Sequence, residues 1–144
     1  MALFRWHGQM IRFQIIGETP SKKNSKVFAK VKGHVVPIPS KAHQKWHSDA
    51  MLQITGQLSR LPKEEVPFGF GHPDGIEDPV SITLTFYHGT MVRRDSDNQA
   101  ASIMDLLQDA KVLADDRWQI VRILNIYNHY DKGNARCLIE INRL

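Results

Sequence analysis

The fold of this 144-residue chain is decided by the stretch Val80–His88, which reads VSITLTFYH. Apolar residues fill every second position of this stretch, and that period predicts a strand with one buried face. A helix is predicted next, with Asp97 or Asn98 as its N-cap and an end near Ala110. Its apolar face consists of Ile103, Leu106, Leu107 and Ala110. Because Gln119–Tyr130 is again strand-like, the order strand, helix, strand predicts a right-handed crossover between two parallel strands.

The N-terminal half of the chain supplies a second helix and further strands. Met10–Gly17 is predicted to be a strand, and Val27–Val31 with His34–Ile38 is predicted to be a short hairpin. Ser40 can cap a helix that spans about Lys41–Leu58. The buried stripe of that helix repeats at every fourth residue and consists of Trp46, Ala50, Ile54 and Leu58.

The C-terminal segment Ala135–Leu144 is predicted to be a strand that forms an antiparallel hairpin with Gln119–Tyr130 across the turn Asp131–Asn134. These elements predict one α/β (α+β) domain over residues 1–144, with two main helices packed on a small mixed sheet. Residues 1–9 are predicted to be a flexible leader, with Met10 as an alternative start. Residues 61–79 contain four prolines and three glycines and are predicted to form a long irregular loop.

The composition is that of a globular protein, with 42% hydrophobic and 24% charged residues. No apolar run approaches the roughly 18 residues of a membrane span, and the N-terminus lacks the apolar core of a signal peptide. Cys137, the only cysteine, is predicted to be a small buried hydrophobe. A cytoplasmic protein, encoded by a cell or by a virus, is therefore expected.

The net charge of +4 is distributed unevenly along the chain. Acidic residues are concentrated between Glu64 and Asp116, whereas the first third of the chain is rich in lysine. The lysines there are Lys22, Lys23, Lys26, Lys30, Lys32, Lys41 and Lys45. A solvated face is the simplest interpretation of these lysines taken alone. Their combination with an acidic region in one small domain favours phosphate binding together with metal binding.

Five carboxylates follow the Val80–His88 strand closely, on Asp95, Asp97, Asp105, Asp115 and Asp116. Residues two apart in extended backbone point the same way, so Asp95 and Asp97 can aim at one spot. Two carboxylates about 4 Å apart repel by roughly 4 kcal/mol at an effective dielectric constant near 20. A hard divalent cation is the usual ligand that offsets such repulsion. On a basic chain, this pattern indicates metal-dependent chemistry on a polyanion.

These acids also have simpler interpretations. Asp97 can be an N-cap only, Asp105 a solvated helix residue, and Asp115 a turn residue. Asn98 and Asp105 fall on the helix face roughly opposite the apolar one, so neither is expected in the core. Whether Asp116 approaches the other acids depends on the position of a strand end that the sequence does not fix.

The order Arg93-Arg94-Asp95-Ser96-Asp97-Asn98, followed by Asp105-Leu106-Leu107 and Leu113-Ala114-Asp115-Asp116, resembles the RusA-type Holliday junction resolvases. The spacing matches without gaps from Arg93 to Asp116, so about 25 residues match tightly. Pro20-Ser21-Lys22-Lys23-Asn24 also resembles the N-terminal loop of that family. The rest of the chain is compatible with the family.

The resemblance implies a small homodimeric endonuclease that depends on Mg²⁺, or on Mn²⁺ in its place, and nicks four-way DNA junctions symmetrically in recombination and repair. The implied catalytic and metal-binding carboxylates are Asp95, Asp97 and Asp116, with Asp115 as a further metal ligand. The implied supporting residues are Asn98 and Asp105. The implied DNA-binding cations are Lys22, Lys23, Lys26, Arg93 and Arg94.

One position departs from the family pattern. The family often places a functional lysine four residues after the second aspartate of its Asp-x-Asp motif, and Ala101 occupies that position here. A lysine there would offset phosphate charge in the transition state. Lys22, Lys23 and Lys111 are the candidates to replace it. The loop 61–79 is also longer than in compact members of the family.

Two other functions compete with junction cleavage. A non-catalytic DNA-binding module of the same fold would explain Ala101. A nucleotide-sugar transferase would use Asp95 and Asp97 to hold a metal–diphosphate, but 144 residues leave little room for both of its substrates. The motifs GxxxxGK[ST], GxGxxG and GxSxG do not occur, and the histidines lack zinc-ligand spacing with cysteine. No nucleotide cofactor, structural zinc or membrane partner is therefore expected.

Overall fold

The computed structural model describes residues 10–22, 26–60 and 74–144 of the chain. The predicted leader, Lys23 and residues 61–73 of the predicted loop lie outside the described residues, as does the side chain of Lys26. The described residues form two α-helices and six strands: β1 (Met10–Ile16), β2 (Lys26–Val31), β3 (His34–Pro39), α1 (Lys41–Ser59), β4 (Val80–His88), α2 (Ser96–Asp109), β5 (Val121–Tyr130) and β6 (Arg136–Arg143).

The main sheet has four strands in the order β1-β6-β4-β5. β4 and β5 are parallel, with Ile82 opposite Leu124 and Leu84 opposite Ile126, so the parallel arrangement predicted around α2 is confirmed. β6 lies between β1 and β4 and is antiparallel to both. The predicted fold class, a mixed sheet with two helices in one domain, is confirmed as well.

The prediction of a C-terminal hairpin is wrong, because β4 separates β5 from β6. The turn at 131–134 crosses the end of β4, where the Asp131 N–H donates to the carbonyl oxygen of His88 at 2.9 Å. Most side chains of β5 are exposed, so this strand suits the edge of the sheet. β6 pairs with β1 on one side and with β4 on the other, and its apolar face, which consists of Cys137, Ile139 and Ile141, is fully buried.

The hydrophobic core lies between the two helices and one face of the main sheet. The apolar face predicted for α2 is confirmed, with Ala110 partly buried and its other three residues fully buried. The stripe predicted for α1 is confirmed as well, since Ala50 and Ile54 are buried while Trp46 and Leu58 pack against the core. The single cysteine is buried as predicted, and this burial raises the pKa of its thiol. Neither helix of the described residues is long and apolar enough to cross a membrane.

The two helices begin differently from one another. The N-cap predicted for α1 is confirmed, because Ser40 Oγ accepts from the His43 N–H at 3.1 Å. The N-cap predicted for α2 is wrong, because Asp95 occupies that position with extended backbone. Its backbone carbonyl oxygen accepts from the Gln99 N–H at 3.2 Å, and its side chain makes no capping hydrogen bond. Asp97 lies in the first turn, where a carboxylate interacts favourably with the positive end of the helix dipole.

β2 and β3 form the predicted antiparallel hairpin. Lys32 and Gly33 at its turn have φ angles of 50° and 81°, as a two-residue turn between twisted strands requires. The hairpin ends next to Ser40, so it connects the loop after β1 to the start of α1. Most of its described side chains are exposed.

Candidate functional site

The loop after β1 is held on α2 by side-chain-to-backbone hydrogen bonds. Gln99 Nε2 donates to the carbonyl oxygen of Thr19 at 2.7 Å, and Ser102 Oγ donates to that of Pro20 at 2.7 Å. The Lys22 N–H donates to a carbonyl oxygen in the first turn of α2 at 3.2 Å. Because Gln99 and Ser102 are buried, two of these bonds are shielded from water and hold the loop in one place.

A second contact fixes the segment that leads to Asp116. Ile76 forms an isolated parallel bridge with Leu113, and both side chains are fully buried. The Ile76 N–H donates to the carbonyl oxygen of Val112 at 2.9 Å, and the Ala114 N–H donates to that of Ile76 at 3.0 Å. Residues 74–79 were predicted from their composition to be part of an irregular loop. In the structure, they support the chain just before Asp115 and Asp116.

The side chains of Asp97, Asp105 and Asp116 line one pocket of about 250 Å³, which we term the acidic pocket. Asp97 and Asp105 lie on α2, and Asp116 lies in the segment before β5. Lys22 lines the same pocket from the loop after β1. The rest of the lining is small or apolar and consists of Ala100, Ala101, Met104, Leu124 and Ile126. The structure thus brings together three of the predicted acids, including the one whose position the sequence did not fix.

Asp95 lines a neighbouring pocket of about 630 Å³ with Glu18, Arg93 and Arg94. The extended backbone expected around Asp95 and Asp97 ends where α2 begins, so residues two apart no longer face the same way. The structure therefore does not place Asp95 and Asp97 in one pocket. The role of Asp95 as a metal ligand stays a prediction.

Two of the predicted residues contact their neighbours instead of lining the acidic pocket. Asn98 Nδ2 donates to Asp95 Oδ2 at 3.5 Å. Asp115 Oδ1 accepts from the Asp116 N–H at 2.8 Å, and its Oδ2 lies 3.8 Å from the Arg117 guanidinium. Asp115 thereby fixes the backbone that presents Asp116, and its role as a further metal ligand stays a prediction.

Glu18 is a candidate residue that sequence reasoning missed. Its carboxylate lies 3.2 Å from the guanidinium of Arg94, 3.1 Å from Nδ1 of His88 and 3.3 Å from Nε2 of Gln99. Glu18 follows β1, and β1 and β4 end at the same edge of the sheet because both are antiparallel to β6. Glu18 follows the C-terminal end of a strand, where α/β sheets tend to place functional sites, and this position was the available signal. The proline nearby was interpreted only as a residue that ends the strand.

The structure places the predicted DNA-binding cations in different surroundings. Arg93 is exposed and forms no ion pair with any described residue. Arg94 is held by Glu18 and by two backbone carbonyl oxygens of the loop after β4, so it shapes that loop. Lys22 Nζ lies 2.8 Å from Asp105 Oδ2. DNA contacts by all of the predicted cations stay predictions.

His43 is buried close to the pair formed by Lys22 and Asp105. Its Nε2 lies 3.4 Å from Ser102 Oγ. Burial lowers the pKa of His43, the charges of His47 and Lys22 lower it further, and the Asp105 carboxylate acts in the opposite direction. The His43 imidazole is therefore neutral at pH 7, and the positive charge beside Asp105 belongs to Lys22.

The donor set of the acidic pocket fits Mg²⁺. Across residues 10–22, 26–60 and 74–144, no three histidine, cysteine or acidic side chains are close enough to hold one ion by themselves. Mg²⁺ often needs only one or two protein carboxylates, because it keeps several waters and binds the phosphate oxygens of a substrate. Asp97 and Asp116 meet that requirement, while Asp105 is paired with Lys22.

No protein-family model matches this chain, and no curated protein matches it significantly. The resemblance to RusA-type resolvases therefore stays a prediction. The acidic pocket, in which three separate chain segments place ionisable side chains, is the structural basis for a functional proposal.

Proposed function

We propose that this protein is a Mg²⁺-dependent endonuclease that selects branched DNA and resolves four-way junctions by paired symmetric nicks. The observation that carries the proposal is the acidic pocket, in which Asp97, Asp105 and Asp116 meet Lys22. Acids collected from α2 and from the segment before β5 can bind a cation, and the basic N-terminal third can bind the DNA backbone. Such a function belongs to DNA recombination and repair.

The acidic residues would divide the work between them. Asp97 and Asp116 would hold the ion, and Asp95, which lines the neighbouring pocket, is the third ligand that the resemblance implies. When bound, Mg²⁺ polarises the scissile phosphate and lowers the pKa of a coordinated water, which supplies the nucleophile. Asp115 would support Asp116 by accepting from the Asp116 backbone N–H, and Asn98 would support Asp95 by donating to its carboxylate.

The positive charge for the DNA backbone would come from Arg93 and from the N-terminal lysines. The hairpin at 26–39 contains three lysines and one histidine but no acidic residue. Its chain is continuous with the loop that carries Lys22, so a DNA strand bound along the hairpin would lead towards the acidic pocket. Phe28 is 76% exposed on this hairpin, which offers an apolar contact for bases beside the charged ones.

The active species would be a homodimer with one acidic pocket in each subunit, because two equivalent sites match the two-fold symmetry of a four-way junction. β5 supports this part of the proposal, since it is the outer strand of the main sheet on one side. Several of its apolar side chains are exposed, namely Ile123, Leu124, Tyr127 and Tyr130. An edge strand of this kind is a surface on which another chain can pair.

The proposal is tested by incubating the full-length protein with a synthetic four-way junction and with a linear duplex of the same sequence. Each substrate is incubated with Mg²⁺, with Mn²⁺ and with a chelator. We expect paired nicks at symmetric positions in the junction, only when metal is present. Tight junction binding without cleavage in either metal would instead support the non-catalytic DNA-binding module. That second candidate is favoured by Ala101, which adds no charge to the pocket.

Junction affinity is expected to fall by roughly 10³-fold between about 50 and 200 mM salt, because each dimer would contact at least six phosphates. The measurement is a titration of labelled junction, followed by fluorescence anisotropy in the absence of Mg²⁺. Replacing Lys30 and Lys32 of the hairpin by alanine should reduce the slope of log affinity against log salt by about 1 for each lost phosphate contact. Lys132→Ala, in the exposed turn after β5, is the matched control. A flat salt profile for the wild-type protein would contradict DNA binding by the basic N-terminal third.

A further inference from the structure

Lys22 is the one lysine or arginine whose side chain lines the acidic pocket in the described part of the chain. On the basis of the proposed function, we propose that Lys22 contacts the phosphate that is cleaved. Asp105, whose Oδ2 lies 2.8 Å from Lys22 Nζ, holds the ammonium group in the pocket before DNA binds. Lys22 is thus assigned as a catalytic residue and Asp105 as a positioning residue.

The backbone at Lys22 is fixed, whereas its side chain is free to move. The loop is bonded to α2 through the buried side chains of Gln99 and Ser102 and through the Lys22 N–H itself. The side chain of Lys22 is 45% exposed, and a lysine stem has four rotatable bonds. The ammonium group can therefore turn from Asp105 to a phosphate oxygen without any shift of the loop.

The pocket needs a protein cation once substrate is bound. Its three carboxylates and one ammonium group leave an excess of two negative charges, which one Mg²⁺ ion cancels. A phosphodiester then brings one negative charge. As water attacks phosphorus and gives up a proton to solvent, the bond to one ester oxygen breaks, and a further negative charge develops on the phosphate oxygens and on the leaving oxygen. A positioned cation that meets this developing charge accelerates the reaction. Lys22 is the only described lysine, arginine or histidine that lines the pocket and can supply it.

The helix surface beneath the pocket explains why the cation comes from the loop. Asp97, Ala101 and Asp105 are spaced four residues apart, so they form one column on α2. Ala101 lies between the two acids and contributes neither charge nor bulk. This leaves room above the helix for the side chain of Lys22, which lines the pocket there.

A plain surface ion pair is the alternative role for Lys22 and Asp105. Exposed ion pairs contribute little to stability. If Lys22 and Asp105 form only such a pair, removing either partner should change neither the fold nor the cleavage rate. The two roles are separated by comparing Lys22→Met, Lys22→Arg and Asp105→Asn with the wild-type protein. Lys132→Met, which removes an exposed lysine of the turn after β5 outside the pocket, is the matched control for the lost charge.

The measurements are the single-turnover rate on the four-way junction at saturating enzyme, its dependence on Mg²⁺ concentration, and junction affinity in chelator. Lys22→Met is expected to lower the maximal rate by at least about 100-fold, as loss of one transition-state donor does. Its half-saturating Mg²⁺ concentration should fall, because a positive charge has left the pocket. Lys22→Arg should recover part of the rate, Asp105→Asn should cleave at an intermediate rate, and Lys132→Met should match the wild type.

Each outcome bears on one of the two proposals. If the wild-type protein cleaves and Lys22→Met cleaves within about 3-fold of Lys132→Met, the assignment of Lys22 is overturned while the proposed function stands. A loss of junction affinity with an unchanged maximal rate overturns it as well, because Lys22 would then serve binding only. If the wild-type protein cleaves no junction with Mg²⁺ or Mn²⁺, the proposed function fails, and the assignment of Lys22 fails with it. Equal unfolding midpoints for all variants show that any rate difference is not a folding defect.

Discussion

Asp97→Asn is expected to lower the single-turnover rate of Mg²⁺-dependent junction cleavage by at least roughly 10³-fold. Asparagine keeps the size of the side chain but removes the charge that binds Mg²⁺. Asp97 lines the acidic pocket together with Asp116, so Asp116→Asn should cause a loss of the same order. Junction affinity in chelator should stay the same or rise, because each variant removes a negative charge that repels DNA.

The matched control for this prediction is Asp49→Asn. Asp49 is an exposed residue of α1 that does not line the acidic pocket, so its replacement tests the loss of one carboxylate alone. Cleavage by the Asp97 variant at the rate of the Asp49 variant would rule out the acidic pocket as the catalytic site. Unfolding midpoints must accompany the rates, because Asp97 also lies in the first turn of α2.

Asp95→Asn distinguishes two arrangements of the metal site. The resemblance implies a loss as large as that of Asp97→Asn, yet the side chain of Asp95 lines the neighbouring pocket with Glu18 and Arg93. An equal loss means that Asp95 turns towards Asp97 when metal and DNA bind. A much smaller loss means that the ion is held by Asp97 and Asp116 alone. Mg²⁺ accepts either arrangement, since waters complete its coordination.

The elements that sequence analysis predicted correctly are those whose signal is local. Val80–His88 shows the period of a half-buried strand, and all nine of its residues are strand in the structure. Ser40 was identified as the cap of α1 because no other good cap stands beside it. At α2 three good capping residues follow one another closely, namely Asp95, Asp97 and Asn98. Local propensity does not choose among them, and the first occupies the N-cap position without a side-chain capping bond.

The incorrect or missing predictions depend on contacts between distant parts of the chain. The turn at 131–134 suggested a hairpin, but strand order depends on backbone pairing between distant segments, and β6 pairs with β1 and β4 instead of β5. The approach of Asp116 to Asp97 depends on the bridge between Ile76 and Leu113. That bridge lies in a stretch whose prolines and glycines indicate only irregular structure. The candidate site was therefore predictable as a set of residue types, but not as a pocket.

Gly75→Ala is expected to lower the free energy of unfolding by roughly 2–5 kcal/mol, because it combines backbone strain with overpacking. Gly75 has a φ of 96°, which residues with a side chain rarely adopt. A Cβ at this position would lie 2.6 Å from the carbonyl oxygen of Lys111 and 2.9 Å from the carbonyl carbon of Leu113. Both atoms belong to backbone, so the clash is relieved only if residues 111–113 move. Chemical denaturation of the wild type and the variant measures the difference.

Gly133→Ala separates the two causes, because Gly133 also has a positive φ, of 69°, while a Cβ there meets nothing within 4 Å. Its cost should therefore be the strain alone, about 1–2 kcal/mol. Equal costs at the two positions would contradict a close approach between Gly75 and residues 111–113. Because that approach holds the segment before Asp116, Gly75→Ala should also slow junction cleavage under conditions in which it is folded, whereas Gly133→Ala should not. Gly75 would then affect cleavage indirectly, by fixing the position of Asp116. It would do so at a distance from the reacting phosphate, and no motif in the sequence indicates this role.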